Sequence, residues 1–358
     1  MRRALLVAVG ALLSCSLIES LDDLRASDAG GDVAPVEAGC GDTTSSPGNC
    51  GACGHDCLGG ECKASACQPV ALAPIQPAPS ALAVENASLY WIASSEIHRA
   101  PTSLDAGTWS RVGSTSVPGV FELAAASPTI HAITTAGSFE SVTVAENDPP
   151  DGAAPAAVPY ANPITNVSSW VFDSGHQYLY SHSGSCKGSS GWCVISYDDP
   201  TVSPKRFADN LVASGLLAVA GGRVYFASGT TIGSFVYTDA SGTSTTVATT
   251  SDAPTSIAAD ANGIYVTSTT LGSVLVASPA GDGGAPAPLA SAQVNPRAVA
   301  AQAGLVAWAA DDGLWACDPK SCKPTNYVTQ AAVSSIAIDA AAIYWTDPNR
   351  AGVYKIAR

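Results

Sequence analysis

The densest concentration of reactive side chains in this sequence is cysteine. Of its 11 cysteines, Cys40, Cys50, Cys53, Cys57, Cys62 and Cys67 crowd into one stretch rich in glycine and small residues. Within it, Cys50-Gly-Ala-Cys53-Gly-His55-Asp-Cys57 sets thiols and an imidazole at the short spacings that zinc accepts. The same thiols can close three disulfides. A stretch with so few large apolar residues cannot bury a core of its own and needs crosslinks to hold a shape. Compartment decides between the two chemistries: export oxidises thiols before they meet intracellular zinc, so disulfides are expected, with the connectivity open. Farther along, Cys186 and Cys193 flank Lys-Gly-Ser-Ser-Gly-Trp, a turn composition, and Cys317 and Cys322 flank Asp-Pro-Lys-Ser. Each pair is expected to staple one hairpin, provided its Cα atoms come within about 7 Å. Cys15 is left over.

Other chemistry is sparse. The 5 histidines, His55, His98, His131, His176 and His182, form no short-range ligand pair. Gly184-Ser-Cys186-Lys-Gly188 has the outline of a nucleophile elbow, but that motif requires a strand-to-helix turn, and Cys186 is better used by Cys193. No phosphate-cradling glycine loop leads into a helix, and H-E-x-x-H does not occur. Lys and Arg total 16 against 30 Asp and Glu, a net charge of −14, which disfavours both nucleic acid and an anionic membrane surface. No metal or cofactor is expected.

The compartment is written at the start of the chain. Arg2 and Arg3 precede the apolar run Ala4 to Leu13, which has the length of a signal-peptide core and is too short to span a bilayer. Leu12-Leu13-Ser14-Cys15 resembles a bacterial lipobox, which implies removal of residues 1–14, lipidation of Cys15 and, with Ser16 following, delivery to the outer membrane. Residues 15–39, rich in Asp, Glu, Ala and Gly, read as a flexible tether. Secretion without an anchor is the alternative. Asn49 through Cys57 resembles the small cysteine-rich modules at the heads of exported bacterial repeat proteins, which bounds a module at 40–67.

From residue 68 onward, short apolar alternations are broken by Gly, Pro, Asn, Asp and Ser, the pattern of strands and turns. A frame recurs roughly every forty residues, the range of four-stranded propeller blades. Its large apolar anchors are Leu82, Leu123, Phe172, Leu217, Ile257, Val299 and Ile336. An aliphatic follows at Leu89, Ile130, Leu179, Val224, Ile264, Val306 and Ile343, then Tyr90, His131, Tyr180, Tyr225, Tyr265, Ala307 or Tyr344. His131 thereby reads as a packed strand residue. The position after the anchor is alanine except at Asp173, which suits a strand crowded near the axis of a ring.

The last unit lacks a fourth strand. Pro69-Val-Ala-Leu-Ala-Pro74 has no unit of its own and is expected to supply it, removing the two edges that an open array would expose. The expectation is an all-β fold: a seven-bladed β-propeller of four-stranded antiparallel blades over 68–358, with a distorted six-bladed ring as the alternative. Tyr344-Trp345-Thr346-Asp347 resembles the motif of YWTD-type propellers, and the other units resemble exported NHL-like and YWTD-like propellers. The resemblance implies the fold and leaves function open, because this fold hosts adhesion, scaffolding and several hydrolytic chemistries.

Propeller hydrolases gather carboxylates at the channel mouth, whereas the inner strands here read Leu-Ala-Val, Ile-Ala-Ala or Val-Ala-Ala. Asp260 and Asp339 are expected to cap tight turns instead. The longest loop, His182 through Trp192, carries Lys187 and a disulfide staple and is the expected contact site. Asp311, Asp312, Asp347, Asn349 and Arg350 sit in loops at corresponding positions. These features point to a monomeric, surface-tethered, noncatalytic module that binds or scaffolds a protein or glycan. The alternative is an exported hydrolase or lyase, which would reveal itself by inward polar groups converging at the channel mouth.

Overall fold

The computed structural model describes residues 41–74, 78–103, 109–114, 120–126, 129–134, 139–143, 158–159, 166–173, 176–182, 186, 191–196, 205–213, 215–236 and 243–358. The expected signal peptide at 1–14, Cys15, the tether at 15–39, Cys40 and Lys187 lie outside them. The period-two segments form seven four-stranded antiparallel sheets. Blades 1 to 6 span 79–114, 120–159, 167–211, 216–249, 256–290 and 298–329. Blade 7 takes three strands from 335–357 and its fourth from Val70–Pro74. First strands of successive blades lie side by side, and Ser335–Ile338 of blade 7 lies beside Pro79–Glu85 of blade 1. The ring is closed, and the chain folds as a seven-bladed β-propeller rather than a six-bladed one.

Val70–Pro74 runs antiparallel to Gly352–Ala357, pairing Val70 with Lys355 and Pro74 with Gly352, and a bulge falls at Leu72. Leu72 is buried there with Val353 of blade 7 and Leu82 of blade 1. Burying a side chain of this size contributes on the order of 2 kcal/mol, so the closing strand is held by packing as well as by its ladder.

Each blade is apolar on both faces, and the core consists of clusters at the junctions between blades. In blade 1, Leu82, Leu89 and Trp91 face blade 7, while Ala81, Tyr90, Ile92 and Ile97 face blade 2 with Leu123 and Ile130. The recurring tyrosine therefore fills the space against the next blade: Tyr344 packs toward Leu82, Tyr265 toward Val299 and Tyr225 toward Ile257. Hydroxyls add polar rivets between first strands. Ser169 Oγ accepts the Leu217 N–H at 3.0 Å, and Ser256 Oγ accepts the Val299 N–H at 3.2 Å.

Blade 3 corrects the frame read from sequence. Anchors pair across the first hairpin as Leu82 with Trp91, Leu217 with Phe226 and Ile336 with Trp345. The matching pair in blade 3 is Trp170 with Leu179, which makes Trp170 the anchor and Tyr178 the blade tyrosine, not Phe172 and Tyr180. Trp170 and Phe172 alternate onto one face of the strand, so a shift of two positions preserves the apolar pattern and leaves no trace in it.

Asp260 and Asp339 cap turns as expected. Asp260 Oδ1 accepts the N–H groups of Asn262 at 2.7 Å and Gly263 at 3.0 Å, and Asp339 Oδ1 accepts those of Ala341 and Ala342, each at 2.8 Å. The tyrosine hydroxyls close the corner, Tyr265 donating to Asp260 at 3.1 Å and Tyr344 to Asp339 at 2.9 Å. Burial, reinforced by the adjoining carboxylate, pushes both phenols well above their ordinary pKa.

In the cysteine-rich segment the bridges are Cys50–Cys62 and Cys57–Cys67, and Cys53 is disulfide-bonded too. The Sγ atoms of Cys50, Cys57 and Cys67 lie within 4.8 Å of one another, but the bridges consume the thiolates that zinc would need. His55, the imidazole of the zinc reading, instead lies with Nε2 3.0 Å from the main-chain oxygen of Arg358. Cys50, Cys57, Cys62 and Cys67 are buried in one cluster with Leu305, Ile343, Ile356 and Ala357 of blades 6 and 7. The segment is thus packed onto the ring beside the closing strand rather than standing apart as a head.

Candidate functional site

Strand order sorts the connections. Those joining second to third strands, and those leading from one blade to the next, emerge at one end of the ring; the remaining hairpins emerge at the other. The sequence-predicted contact residues that are described map to the first of these ends, but they fall into two groups on opposite sides of the ring.

In blade 3, His182 and Trp192 pair across the second hairpin, and the Cys186–Cys193 bridge ties its loop. His182 is exposed, and its ring meets Trp192 edge-on at 5.5 Å. Trp192 is half-buried, leaning on Tyr180 at 5.9 Å, so its ring is supported from below.

Blades 6 and 7 carry the second group. Asp311 is ion-paired with Arg297 and accepts from Asn295 Nδ2 at 3.1 Å. Asp312 accepts from Trp315 Nε1 at 2.9 Å. The turn bearing this pair ends at Gly313, whose φ of +141° admits no ordinary side chain, and a Cβ there would strike the Val328 carbonyl. Asn349 and Arg350 are exposed, whereas Asp347 is fully buried. Asp347 Oδ1 accepts the N–H groups of Asn349 at 3.0 Å and Arg350 at 3.1 Å, so this carboxylate shapes the turn from beneath the surface. Ser268 does the same in blade 5, where its Oγ accepts the Leu271 N–H at 3.1 Å.

Between the two groups lie residues that sequence reasoning missed. Among the described residues, Val212, Leu271 and Val294 are the exposed large hydrophobics of this end, at 49%, 49% and 52% exposure. Their backbones are pinned. The Val212 carbonyl accepts the Tyr180 hydroxyl at 2.6 Å, and its N–H donates to Ser228 Oγ at 2.9 Å. The Val294 carbonyl accepts the Asp311 N–H at 2.8 Å, and neighbouring Gln293 takes the Trp308 indole N–H at 2.7 Å. Burial pushes the Tyr180 phenol up to about 12, which keeps it protonated and donating. A lone aliphatic among polar loop residues, as in Thr-Thr-Leu271-Gly-Ser, is the signal that could have found them.

Among the described residues, the group of three or more imidazole, thiol or carboxylate ligand atoms that converges is the disulfide sulfurs already described. The first strands present half-buried Ala83, Ala258, Ala300 and Val219 instead.

No protein-family model matches the chain, and no curated protein matches it. Solved structures do. The WD40 β-propeller domain of Doa1 superposes with a TM-score of 0.60 at 12% identity, over 81% of this chain and 95% of that one. Streptogramin B lyase gives 0.58 at 11% identity, over 81% and 96%. PorZ, a surface component of the type-IX secretion system of Porphyromonas gingivalis, gives 0.54 at 12%, over 80% of this chain and 37% of that one. At such identities the likeness is one of fold: propellers of differing function share this architecture.

Proposed function

We propose that the protein is an exported, noncatalytic binding module that grips a protein partner across the end of the propeller bearing Val212, Leu271 and Val294. The observation that carries this reading is the pinning of the backbone beneath those exposed aliphatic side chains by Tyr180, Ser228, Ser268 and Asp311. A preorganised apolar contact loses little conformational entropy on association. Aliphatic side chains favour a protein over a glycan. The two groups of polar residues flank them: His182 and Trp192 on one side; Asp311, Asp312, Asn349 and Arg350 on the other. A partner that touches all of them must span the ring. Four disulfides among the described residues fit an oxidising compartment, in keeping with export and with a lipid anchor at Cys15.

Protein and glycan arrays probed with wild type, with Trp192→Ala and with a Leu271→Asp/Val294→Asp double variant test the reading. The expected result is protein hits that the double variant loses and Trp192→Ala weakens. An absence of protein hits, or protein hits indifferent to the double variant, overturns it. The hydrolase or lyase alternative needs inward catalytic groups, and the apolar first strands weigh against it.

A further inference from the structure

Blade 1 contains a cluster that the propeller end does not use. Trp91, His98 and Arg111 are cross-strand neighbours on one face, Trp91 pairing with His98 and His98 with Arg111. Trp109 joins them just before the fourth strand, its ring 4.9 Å from His98 and edge-on at 84°, and 6.2 Å from Trp91. The His98 ring stacks on Trp91 at 5.6 Å. The cluster stands at the seam of the ring, where Trp91 packs with Val70 and Leu72 of the closing strand.

Two features of it meet at one place. Trp91 and His98 are 0% and 3% exposed, yet Trp91 Nε1, His98 Nδ1 and His98 Nε2 have no hydrogen-bond partner. Buried polar atoms are nearly always satisfied, and an unmade bond there disfavours the folded chain. Directly over them, Trp109 is 39% exposed, an indole open to solvent beside an ion pair. That pair is Glu96 with Arg111 at 2.8 Å; Glu96 also lies 3.7 Å from His98 Nε2.

We propose that this seam is a saccharide site, where Trp109 stacks against the apolar face of a pyranose, hydroxyls reach Glu96 and Arg111, and a swing of the Trp109 ring off its edge contact with His98 opens the unsatisfied atoms beneath to the ligand. The chemistry matches a sugar on each count. A pyranose offers a C–H face to an indole, and its hydroxyls both donate and accept. Trp91 Nε1 can only donate, a neutral imidazole does one of each, and Glu96 only accepts. One carboxylate balances one guanidinium, and the chain carries −14 overall, so the favoured ligand is a neutral saccharide rather than a uronate or sulfated one. An apolar peptide would leave the buried donors and acceptors as they are. Trp109 follows the connection between third and fourth strands, and the whole cluster lies on blade 1, across the ring from the blades that carry Val212, Leu271 and Val294. The site therefore stands independently of protein binding there.

The test is titration of the full chain with cellotetraose, maltotetraose, laminaritetraose and chitotetraose, read by tryptophan fluorescence and by the ¹⁵N shifts of the His98 imidazole. At least one tetrasaccharide is expected to bind and to move the His98 resonances. Trp109→Ala should weaken that binding by at least about tenfold, Glu96→Gln should weaken it too, and Leu271→Asp should leave it unchanged. Array hits for protein should survive Trp109→Ala, which separates failure here from failure of the protein-binding reading. If none of the four binds at about 10 mM, or if Trp109→Ala and Glu96→Gln both bind like wild type, the saccharide site is overturned.

Discussion

The hydroxyl of Tyr180 donates to the main-chain oxygen of Val212 at 2.6 Å, across the junction between blades 3 and 4. Ser228 Oγ lies 3.0 Å from the same phenol oxygen, to which its hydroxyl donates, and it accepts the Val212 N–H. A buried core phenol thereby fixes an exposed aliphatic at the rim.

Tyr180→Phe deletes that network while conserving ring volume. The expected loss is about 1 kcal/mol of stability, the net value of one intramolecular hydrogen bond plus a share of an unsatisfied carbonyl. Urea denaturation measures it. Hydrogen exchange at the Val212 and Leu211 amides should quicken at the same time. Wild type should also lose stability from about pH 10 to about pH 12, because the unfolded phenol ionises at 10 while the folded one resists to about 12. A flat profile over that interval counts against the buried donor.

His131 stands at the blade-tyrosine position of blade 2, with its ring 5.6 Å from Trp170 and 5.7 Å from Phe172. Burial holds its imidazole down at about 4. The unfolded ring takes its proton near 6.5, so stability present above that pH is lost as the pH falls toward 4. His131→Tyr restores the residue used by the other blades. The variant is expected to be more acid-resistant than wild type, by on the order of 2 kcal/mol at pH 5. His98, also depressed by burial, should supply the slope that remains. Denaturant titrations of both proteins at pH 7 and pH 5 decide the matter.

Leu72 has a single apolar role, filling the seam beside Leu82 and Val353. Leu72→Ala should cost about 2–5 kcal/mol, the range for buried leucine truncations. Leu271→Ala, at an exposed rim position, should stay within about 0.5 kcal/mol. Comparable losses in the two variants would mean that the closing strand is not a structural part of the ring.

The ring was legible because a blade is a local object. Alternation, hairpin turns and the aspartates at 260 and 339 act within a few residues of one another, so their spacing survives in the one-dimensional pattern. The site was less legible because its relationships run between blades. Asp347 sits in a turn beside Asn349 and Arg350 and reads as a surface charge, but the backbone folds over it and buries it. Trp192 reads as exposed until Tyr180 is placed beneath it. The unsatisfied atoms of Trp91 and His98 depend on Trp109 and on the closing strand, which no short window contains. Where two aromatic residues alternate, as at Trp170 and Phe172, even the local frame admits two registers.

The closing strand carries a further consequence. Val70–Pro74 is translated before any blade, and its partner Gly352–Ala357 belongs to the seventh. Until blade 7 exists, the ladder groups of Val70–Pro74 have no partner in the ring and stay an edge open to any other extended chain. Joining them requires bringing together segments with six blades between them, the kind of contact that folds late. The disulfide-knit segment just ahead packs on blades 6 and 7, so it docks in the same late step and adds its buried cysteines to the closure.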